Sequence, residues 1–237
     1  RYYIPKNEVE RSVLTRFEKI PTDIFETMEE GIKAVADKVT AKIQEKQREG
    51  KFCVIAVGIA TSLRALYAEM VRRYKEEGLS FRNVVIFNLH EFYPLREDMS
   101  NSCFKQLSAM LLDQVDIDKQ NVFTIDGTIP QESIMEYCSL YEQRIATFGG
   151  LDILLTGIGF AGNIAMNGAG SQLNSPTRLI LIDTNTRAEE AHNLGVDNLP
   201  PCAITMGIST LLSAKNAYLL AWGDDRADII RKAVEEK

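Results

Sequence analysis

The chain has 237 residues, of which 45% are apolar, and a formal net charge of -6 at pH 7. This length and apolar content are sufficient for one large domain with a substantial core. The acidic balance and the absence of a basic block disfavour nucleic acids and anionic membrane surfaces as partners. No run approaches the roughly 20 apolar residues that span a bilayer, so no membrane segment is expected.

A single domain over residues 1–237 is predicted, because Gly/Pro-rich linkers, internal repeats and low-complexity segments are absent. The first residue is Arg1 rather than Met, which indicates a segment excised from a longer chain. Four widely spaced cysteines without a C-x-x-C pair predict free thiols and a cytoplasmic location. No H-x-x-H motif or carboxylate cluster is present, so neither a metal nor a cofactor is expected.

Apolar runs alternate with helical patterns along the chain, which predicts a Rossmann-like, doubly wound, mostly parallel α/β sheet with helices on both faces. Thr27 and Glu30 form a capping box, and the amphipathic helix that they begin runs to Gly50. The predicted strands are Phe52–Val57, Val84–Asn88, Val122–Ile125, Leu151–Thr156, Leu179–Asp183 and Tyr218–Trp222. The other predicted helices are Ser62–Glu77, Ser102–Leu112, Gln131–Thr147 and a final helix from about Asp224.

The segment from Leu151 to Ser171, LDILLTGIGFAGNIAMNGAGS, is a buried strand that opens into a glycine loop. The loop contains Gly157, Gly159 and Gly162. Ligands of open α/β sheets bind at the carboxyl ends of the strands, where glycines let backbone amides approach closely. The alternative is that these glycines only turn the chain.

Three segments follow one another in the order of a known family. Gly157–Ser171 reads GIGxxGxIAxNxxGS and resembles the signature loop of the glucosamine-6-phosphate deaminase (isomerase) family. Asn83–Leu95 (NVVIFNLHEFYPL) and Ala203–Leu212 (AITMGISTLL) resemble two further segments of that family. The resemblance extends from about Phe17 to the C-terminus. It implies the family's α/β fold, a sugar phosphate as the small-molecule ligand, and assembly into a homo-oligomer.

The resemblance also implies which positions carry the family's chemistry, and those positions hold different residues here. The C2 base, the ring-opening histidine and its two carboxylate partners correspond to His90, Asn163, Ala161 and Gly168. Alanine and glycine carry no proton, and the asparagine amide does not titrate. His90 alone could take over a role, as a base with an unperturbed pKa of roughly 6.5, and its neighbour Glu91 would orient it.

The resemblance places a phosphate at the loop after the first strand and at two cationic positions. Thr61 and Ser62 begin a helix there, and free backbone amides and the helix dipole favour an anion. Simple N-capping by Ser62 is the alternative, because the Cβ of Ala60 replaces a family glycine. The cationic positions correspond to Arg226 and His192, of which Arg226 can bind phosphate bidentately and His192 only when protonated. Both could equally be solvated surface residues.

Three functions remain open at this point. The first is a domain that has lost or nearly lost deaminase activity and binds a sugar phosphate, as a sensor or as a module of a larger polypeptide. The second is a working deaminase, or an enzyme for another phosphosugar, with His90 as base. The third is a structural role in oligomer assembly. The joint loss of Asp, His and Glu from residues 157–170 favours the first, and a ligand site requires Thr61, Ser62, His90 and Arg226 to share one cleft.

Overall fold

Eight strands form two sheets in the computed structural model, which describes residues 5–236. The strands are β1 (Cys53–Val57), β2 (Val84–Asn88), β3 (His90–Tyr93), β4 (Val122–Phe123), β5 (Ile153–Thr156), β6 (Arg178–Leu181), β7 (Cys202–Thr205) and β8 (Asn216–Leu219). Five of them form a wholly parallel sheet in the order β4-β2-β1-β5-β8. The predicted α/β class with a mostly parallel sheet is therefore confirmed.

Helices surround this central sheet. They are α1 (Glu8–Leu14), α2 (Met28–Arg48), α3 (Arg64–Glu77), α4 (Cys103–Met110), α5 (Ile134–Thr147), α6 (Thr184–Leu194), α7 (Ile208–Leu212) and α8 (Ala227–Glu235). Thr27 caps α2 with its side chain, as its sequence pattern predicts, by accepting a hydrogen bond from the backbone N–H of Glu30. No helix within residues 5–236 is long and apolar enough to cross a membrane.

Both faces of the parallel sheet are buried. In β1, Cys53, Ile55 and Val57 belong to a core shared with α2, α3 and α4, whereas Val54 and Ala56 belong to a second core shared with α5. Successive side chains of a strand point to opposite faces, so a strand that is covered on both sides must be apolar throughout. That requirement explains why the central strands could be recognised as continuous apolar runs.

A second, three-stranded antiparallel sheet in the order β3-β7-β6 was not predicted. β3 begins only two residues after β2 ends, so the chain passes directly from the central sheet into this smaller one. The predicted strand Leu179–Asp183 exists as β6, but it pairs in the antiparallel sheet. β3 and β7 have four residues each, and runs this short carry too little periodicity to be assigned.

The helix after β1 begins later than predicted. Thr61–Leu63 form a 3-10 turn, and α3 begins at Arg64 and ends at Gly78 in the left-handed conformation. Ser62 lies inside this turn and makes no side-chain capping hydrogen bond, so its interpretation as an N-cap is wrong. The predicted single domain over 1–237 includes residues 1–4 and 237, which lie outside the described range, and it stays a prediction.

Candidate functional site

A cleft of about 270 Å³ lies at the carboxyl end of the parallel sheet. The strand order reverses between β1 and β5, because the chain builds β2 and β4 on one side of β1 and β5 and β8 on the other. Such a reversal opens a crevice above the sheet in which open α/β proteins bind ligands. The segments that line it directly after the strands are Gly58–Ser62, Leu89–His90, Gly157–Gly159 and Leu220–Trp222.

The structure brings most of the predicted site residues together. Thr61, Ser62, His90 and Arg226 all line this one cleft, and Asn163 joins them. Thr61, Ser62, His90 and Arg226 therefore share one cleft, as a ligand site requires. The roles of these residues in binding or catalysis stay predictions.

The close approach of two loops depends on Gly157. A Cβ added there would lie 2.6 Å from the Cβ of Ala60 and 2.8 Å from the Oγ of Ser62, closer than real Cβ contacts. Gly162 has a φ of +82°, a backbone conformation that L side chains rarely adopt. Two glycines of the loop are thus required by its geometry, beyond simply turning the chain.

His90 and Asn163 carry buried polar atoms without partners in the cleft. Their side chains belong to residues that are 6% and 4% exposed, respectively. Among residues 5–236, neither ring nitrogen of His90 has a hydrogen-bond partner. The Oδ1 of Asn163 has none there either, although its Nδ2 donates to the carbonyl of Ala165 at 3.1 Å. Buried polar atoms are almost always hydrogen-bonded, so two such groups in one cleft indicate a place for a ligand.

Burial lowers the pKa of His90 to about 4. The imidazole is therefore neutral at pH 7, with one nitrogen able to donate and the other able to accept a hydrogen bond. A base whose conjugate acid has a pKa this low takes up a proton weakly at neutral pH.

Glu91 does not line the cleft. It is 1% exposed, and its carboxylate accepts hydrogen bonds from the backbone N–H groups of Phe92, Cys103 and Phe104 and from the hydroxyl of Ser102. The last three donors belong to the start of α4. Glu91 therefore ties β3 to α4, and no hydrogen bond joins it to His90 for the predicted orienting role.

His192 is also outside the cleft, because it lies on the exposed side of α6. Glu189, Glu190 and Asn193, which lie on the other side of this helix, line the cleft instead. The sequence prediction missed them because α6 itself was not predicted. The available signals were Asp183, whose side chain caps α6, and Gly195, which ends it with a positive φ.

Ala161 and Gly168, at two of the family's carboxylate positions, do not line the cleft. Ala161 is exposed, and a Cβ added to Gly168 would meet nothing within 4 Å. Neither residue offers a group that could exchange a proton. The structure thus supplies no carboxylate at either of these positions.

Arg226 is held by several groups at the mouth of the cleft. Its Nη2 pairs with Oε1 of Glu189 at 3.1 Å, and its Nη1 donates to the carbonyl of Ile158, also at 3.1 Å. The guanidinium lies 3.5 Å from the centre of the Phe160 ring, a cation–π contact. The side chains of Arg226 and Glu189 are 13% and 11% exposed, so their ion pair is well shielded from solvent.

Glu190 is one of two carboxyl groups of this cleft that the sequence did not reveal, the other being Glu189. Burial, foremost, and the negative charge of Glu189 raise the pKa of the Glu190 carboxyl to about 7. It makes no hydrogen bond or ion pair within residues 5–236. A carboxyl group with this pKa exchanges protons readily at neutral pH.

The far end of the glycine loop is anchored on the antiparallel sheet. Asn167 donates from Nδ2 to the carbonyl of Met206 at 2.8 Å and accepts at Oδ1 from Nη1 of Arg178, also at 2.8 Å. Arg178 also donates to the Oγ of Ser171 at 3.2 Å. Two of the segments identified by resemblance therefore contact each other in space.

Within residues 5–236, no group of three or more His, Cys, Asp or Glu is arranged to hold a metal ion.

The doubly wound sheet and its switch-point cleft define a class of α/β proteins that bind ligands above the strand ends. Residues 26–237 match the family of glucosamine-6-phosphate isomerases and 6-phosphogluconolactonases, and the chain belongs to that family. The resemblance seen in the sequence is therefore confirmed.

Two relatives show how the match is distributed. A glucosamine-6-phosphate deaminase-like protein of Bacteroides thetaiotaomicron is 56% identical over 236 residues, which are 99% of this chain but 36% of that protein. The chain thus spans about a third of the length of that relative. The glucosamine-6-phosphate deaminase of Bacillus velezensis is 31% identical over 202 residues, 85% of this chain and 83% of the relative.

Solved structures agree with the fold. A monomeric glucosamine-6-phosphate deaminase superposes with a TM-score of 0.82 at 30% identity, covering 88% of this chain and 84% of the other. The 6-phosphogluconolactonase of Trypanosoma brucei has a TM-score of 0.70 at 17% identity, covering 90% of this chain and 86% of the other, and shares the fold alone. Self-association of this chain stays a prediction.

Proposed function

We propose that this chain has lost the deaminase reaction of its family and uses the cleft to bind a small sugar, as a sensor or as a module of a larger cytoplasmic polypeptide. The observation that carries this proposal is the pair of buried, unpartnered polar groups in the cleft, His90 and Asn163. A ligand with hydroxyl groups would supply the missing hydrogen-bond partners. A cavity of about 270 Å³ is near the lower end of small-molecule sites and suits a ligand of monosaccharide size.

The residues at the positions to which the resemblance assigns catalysis support the loss of the reaction. Ring opening and movement of the C2 proton are general acid–base steps, and a positioned group contributes roughly 10²- to 10⁴-fold to such a step. Ala161 and Gly168 lie outside the cleft and carry no proton. Asn163 does not titrate, and the low pKa of His90 makes it a weak base.

The test is calorimetric titration with three ligands: glucosamine, glucosamine 6-phosphate and fructose 6-phosphate. Ammonia release is assayed on the same samples, because the Bacillus velezensis relative and the monomeric protein of the superposed structure are glucosamine-6-phosphate deaminases. We expect saturable binding of at least one ligand and no ammonia above the buffer control. Failure of all three ligands to bind would contradict the proposal and leave a structural role.

A second candidate is a working enzyme that uses an unusual base, and Glu190 is the observation that favours it. Its raised pKa, about 7, is suited to proton transfer at neutral pH, and it lines the same cleft as His90. Ammonia release from glucosamine 6-phosphate that disappears in His90→Ala or Glu190→Gln would establish this candidate. Both variants must retain the wild-type melting temperature within about 3 °C, so that loss of folding does not imitate loss of activity.

A further inference from the structure

The cleft contains one cation and two carboxyl groups among its described lining residues. The cation is Arg226, and the carboxyl groups belong to Glu189 and Glu190. His90 adds no charge, because its imidazole is neutral at pH 7. The lining side chains therefore sum to zero charge when Glu190 is protonated and to -1 when it is ionised.

The guanidinium of Arg226 is already paired with the carboxylate of Glu189. Besides the ion pair at 3.1 Å, this carboxylate accepts a hydrogen bond from the backbone N–H of Phe160 at 3.2 Å. Asp225 lies 3.7 Å from the Nε of Arg226, but its side chain is 59% exposed, so solvent screens its charge. A ligand phosphate that contacted Arg226 would share this guanidinium with Glu189, and the carboxylate of Glu189, which is shielded from solvent, would repel the phosphate.

A protonated amine meets the opposite conditions. Glu190 lines the cleft, is partly buried and makes no hydrogen bond or ion pair within residues 5–236, so its carboxylate can accept an ammonium group. His90 and Asn163 offer buried donors and acceptors for hydroxyl groups in the same space. These two residues are an observation independent of the carboxylates, and they point to a polyhydroxylated ligand.

We propose that the cleft selects an amino sugar without a phosphate, with Glu190 binding the ammonium group and Glu189 excluding the phosphate by occupying Arg226. This inference rests on the proposed function, namely that the cleft binds a sugar. It departs from the sugar phosphate expected from the sequence, because of the two cations of that expectation His192 does not line the cleft and Arg226 is paired with Glu189.

The experiment is calorimetric titration at pH 7 with glucosamine, glucosamine 6-phosphate and glucose, the last being a neutral sugar without the amine. We expect the wild-type chain to bind glucosamine at least 10-fold more tightly than either of the others. In Glu190→Gln, the affinity for glucosamine should fall at least 10-fold while that for glucose changes less than threefold.

Glu189→Gln tests the exclusion of phosphate. We expect its affinity for glucosamine 6-phosphate to rise at least 10-fold, because the neutral amide no longer competes for Arg226. Asp225→Asn is the matched control, since it removes the same charge beside the same guanidinium from a side chain that is 59% exposed. The affinity of Asp225→Asn for glucosamine 6-phosphate should differ less than threefold from that of the wild-type chain. Glu189→Ala provides a second variant if the glutamine side chain keeps its hydrogen bond to Phe160.

The outcomes separate the two proposals. Tighter binding of glucosamine 6-phosphate than of glucosamine by the wild-type chain would overturn the inference and leave the proposed function intact. The inference would also be overturned if Glu189→Gln and Glu189→Ala both bound glucosamine 6-phosphate no more tightly than the wild-type chain. Binding of none of these sugars would contradict the proposed function itself. Circular dichroism of every variant confirms that the compared proteins are folded.

Discussion

His90 and Glu91 are neighbours on β3, but their side chains enter regions with opposite hydrogen bonding. Glu91 faces the start of α4, where its carboxylate accepts four hydrogen bonds. His90 faces the cleft, where neither ring nitrogen has a partner in the described part of the chain. Both residues are more than nine-tenths buried. A buried polar residue that is fully bonded stabilises the fold, whereas one left unbonded at a cleft is placed for a ligand.

The same contrast explains how this chain keeps the fold of its family while its catalytic positions differ. In the segment Asn83–Leu95, Glu91 joins β3 to α4 and belongs to the scaffold. His90, at a position to which the resemblance assigns catalysis, faces the cleft instead. Packing and buried hydrogen bonds hold the scaffold, and they do not depend on the proton-transfer groups above the sheet.

Removal of the Glu91 carboxylate, which is fully hydrogen-bonded, should destabilise the fold more than any of the changes that follow. Glu91→Ala removes the acceptor of four hydrogen bonds and leaves buried donors of β3 and α4 unsatisfied. We expect a loss of about 3 kcal/mol or more in the free energy of unfolding. Urea denaturation followed by circular dichroism measures it.

The control for that prediction is His90→Gln, because the ring nitrogens of His90 make no hydrogen bond to the described residues. It removes no hydrogen bond and keeps a polar side chain of smaller volume, so the expected loss is below about 1 kcal/mol. Equal destabilisation by the two variants would remove the distinction between a structural and a ligand-facing residue on β3.

A second, smaller effect concerns the walls of the cleft. Gly157→Ala places a Cβ against Ala60 and Ser62, and forcing these two loops apart should cost about 2 kcal/mol. Gly168→Ala is the matched control, because its added Cβ meets nothing within 4 Å, and the expected change is within about 0.5 kcal/mol. Thermal denaturation of both variants checks the pair, and similar melting temperatures would show that the loops need not approach closely.

The pH dependence of stability tests the environment of Glu190. The charged groups that act on its carboxyl are Glu189 of its own helix and Arg226, and the thiol of Cys103 is nearby. The thiol is neutral, because burial raises the pKa of Cys103 well above its ordinary range. Repulsion by Glu189 and burial together outweigh the attraction of Arg226, so the pKa of Glu190 is raised from 4.5 to about 7.

A raised carboxyl pKa means that the fold favours the protonated form. The wild-type chain should therefore match Glu190→Gln in stability below about pH 4.5, lose stability relative to it as the pH rises from 4.5 to about 7, and lose no more above that pH. One pKa unit corresponds to about 1.4 kcal/mol, and solvent screening of a partly exposed group reduces the total to about 1–2 kcal/mol at pH 8. Urea titrations of both proteins at pH 5 and pH 8 measure the difference, and a constant difference would contradict the raised pKa.

The parallel sheet could be predicted because its central strands β1, β2 and β5 are covered on both faces and therefore read as apolar runs. The antiparallel sheet could not, since β3 opens with His90 and Glu91 and its polarity is typical of a loop. Its burial arises from pairing with β7, which lies more than 100 residues further along the chain. Contacts over such a distance leave no trace in the local pattern of either segment.

The candidate site was predicted only in part. Thr61, Ser62, His90 and Arg226 meet in the cleft because they follow, or lie beyond, strands whose carboxyl ends share one edge of the sheet. Glu189 was missed with the rest of α6, whose side chains alternate weakly between polar and apolar. The ion pair that neutralises Arg226 therefore depends on a helix that the sequence pattern does not reveal.

Calorimetric titration of the wild-type chain and of His90→Ala with glucosamine, with ammonia measured in the same cell, tests most directly whether the cleft binds a sugar without reacting with it. We expect saturable binding at one site, no ammonia, and at least 10-fold weaker binding by His90→Ala, with a melting temperature within about 3 °C of the wild-type value. Equal binding by the two proteins would show that the unbonded imidazole does not contact the ligand. Ammonia release by the wild-type chain would show that the cleft still performs chemistry.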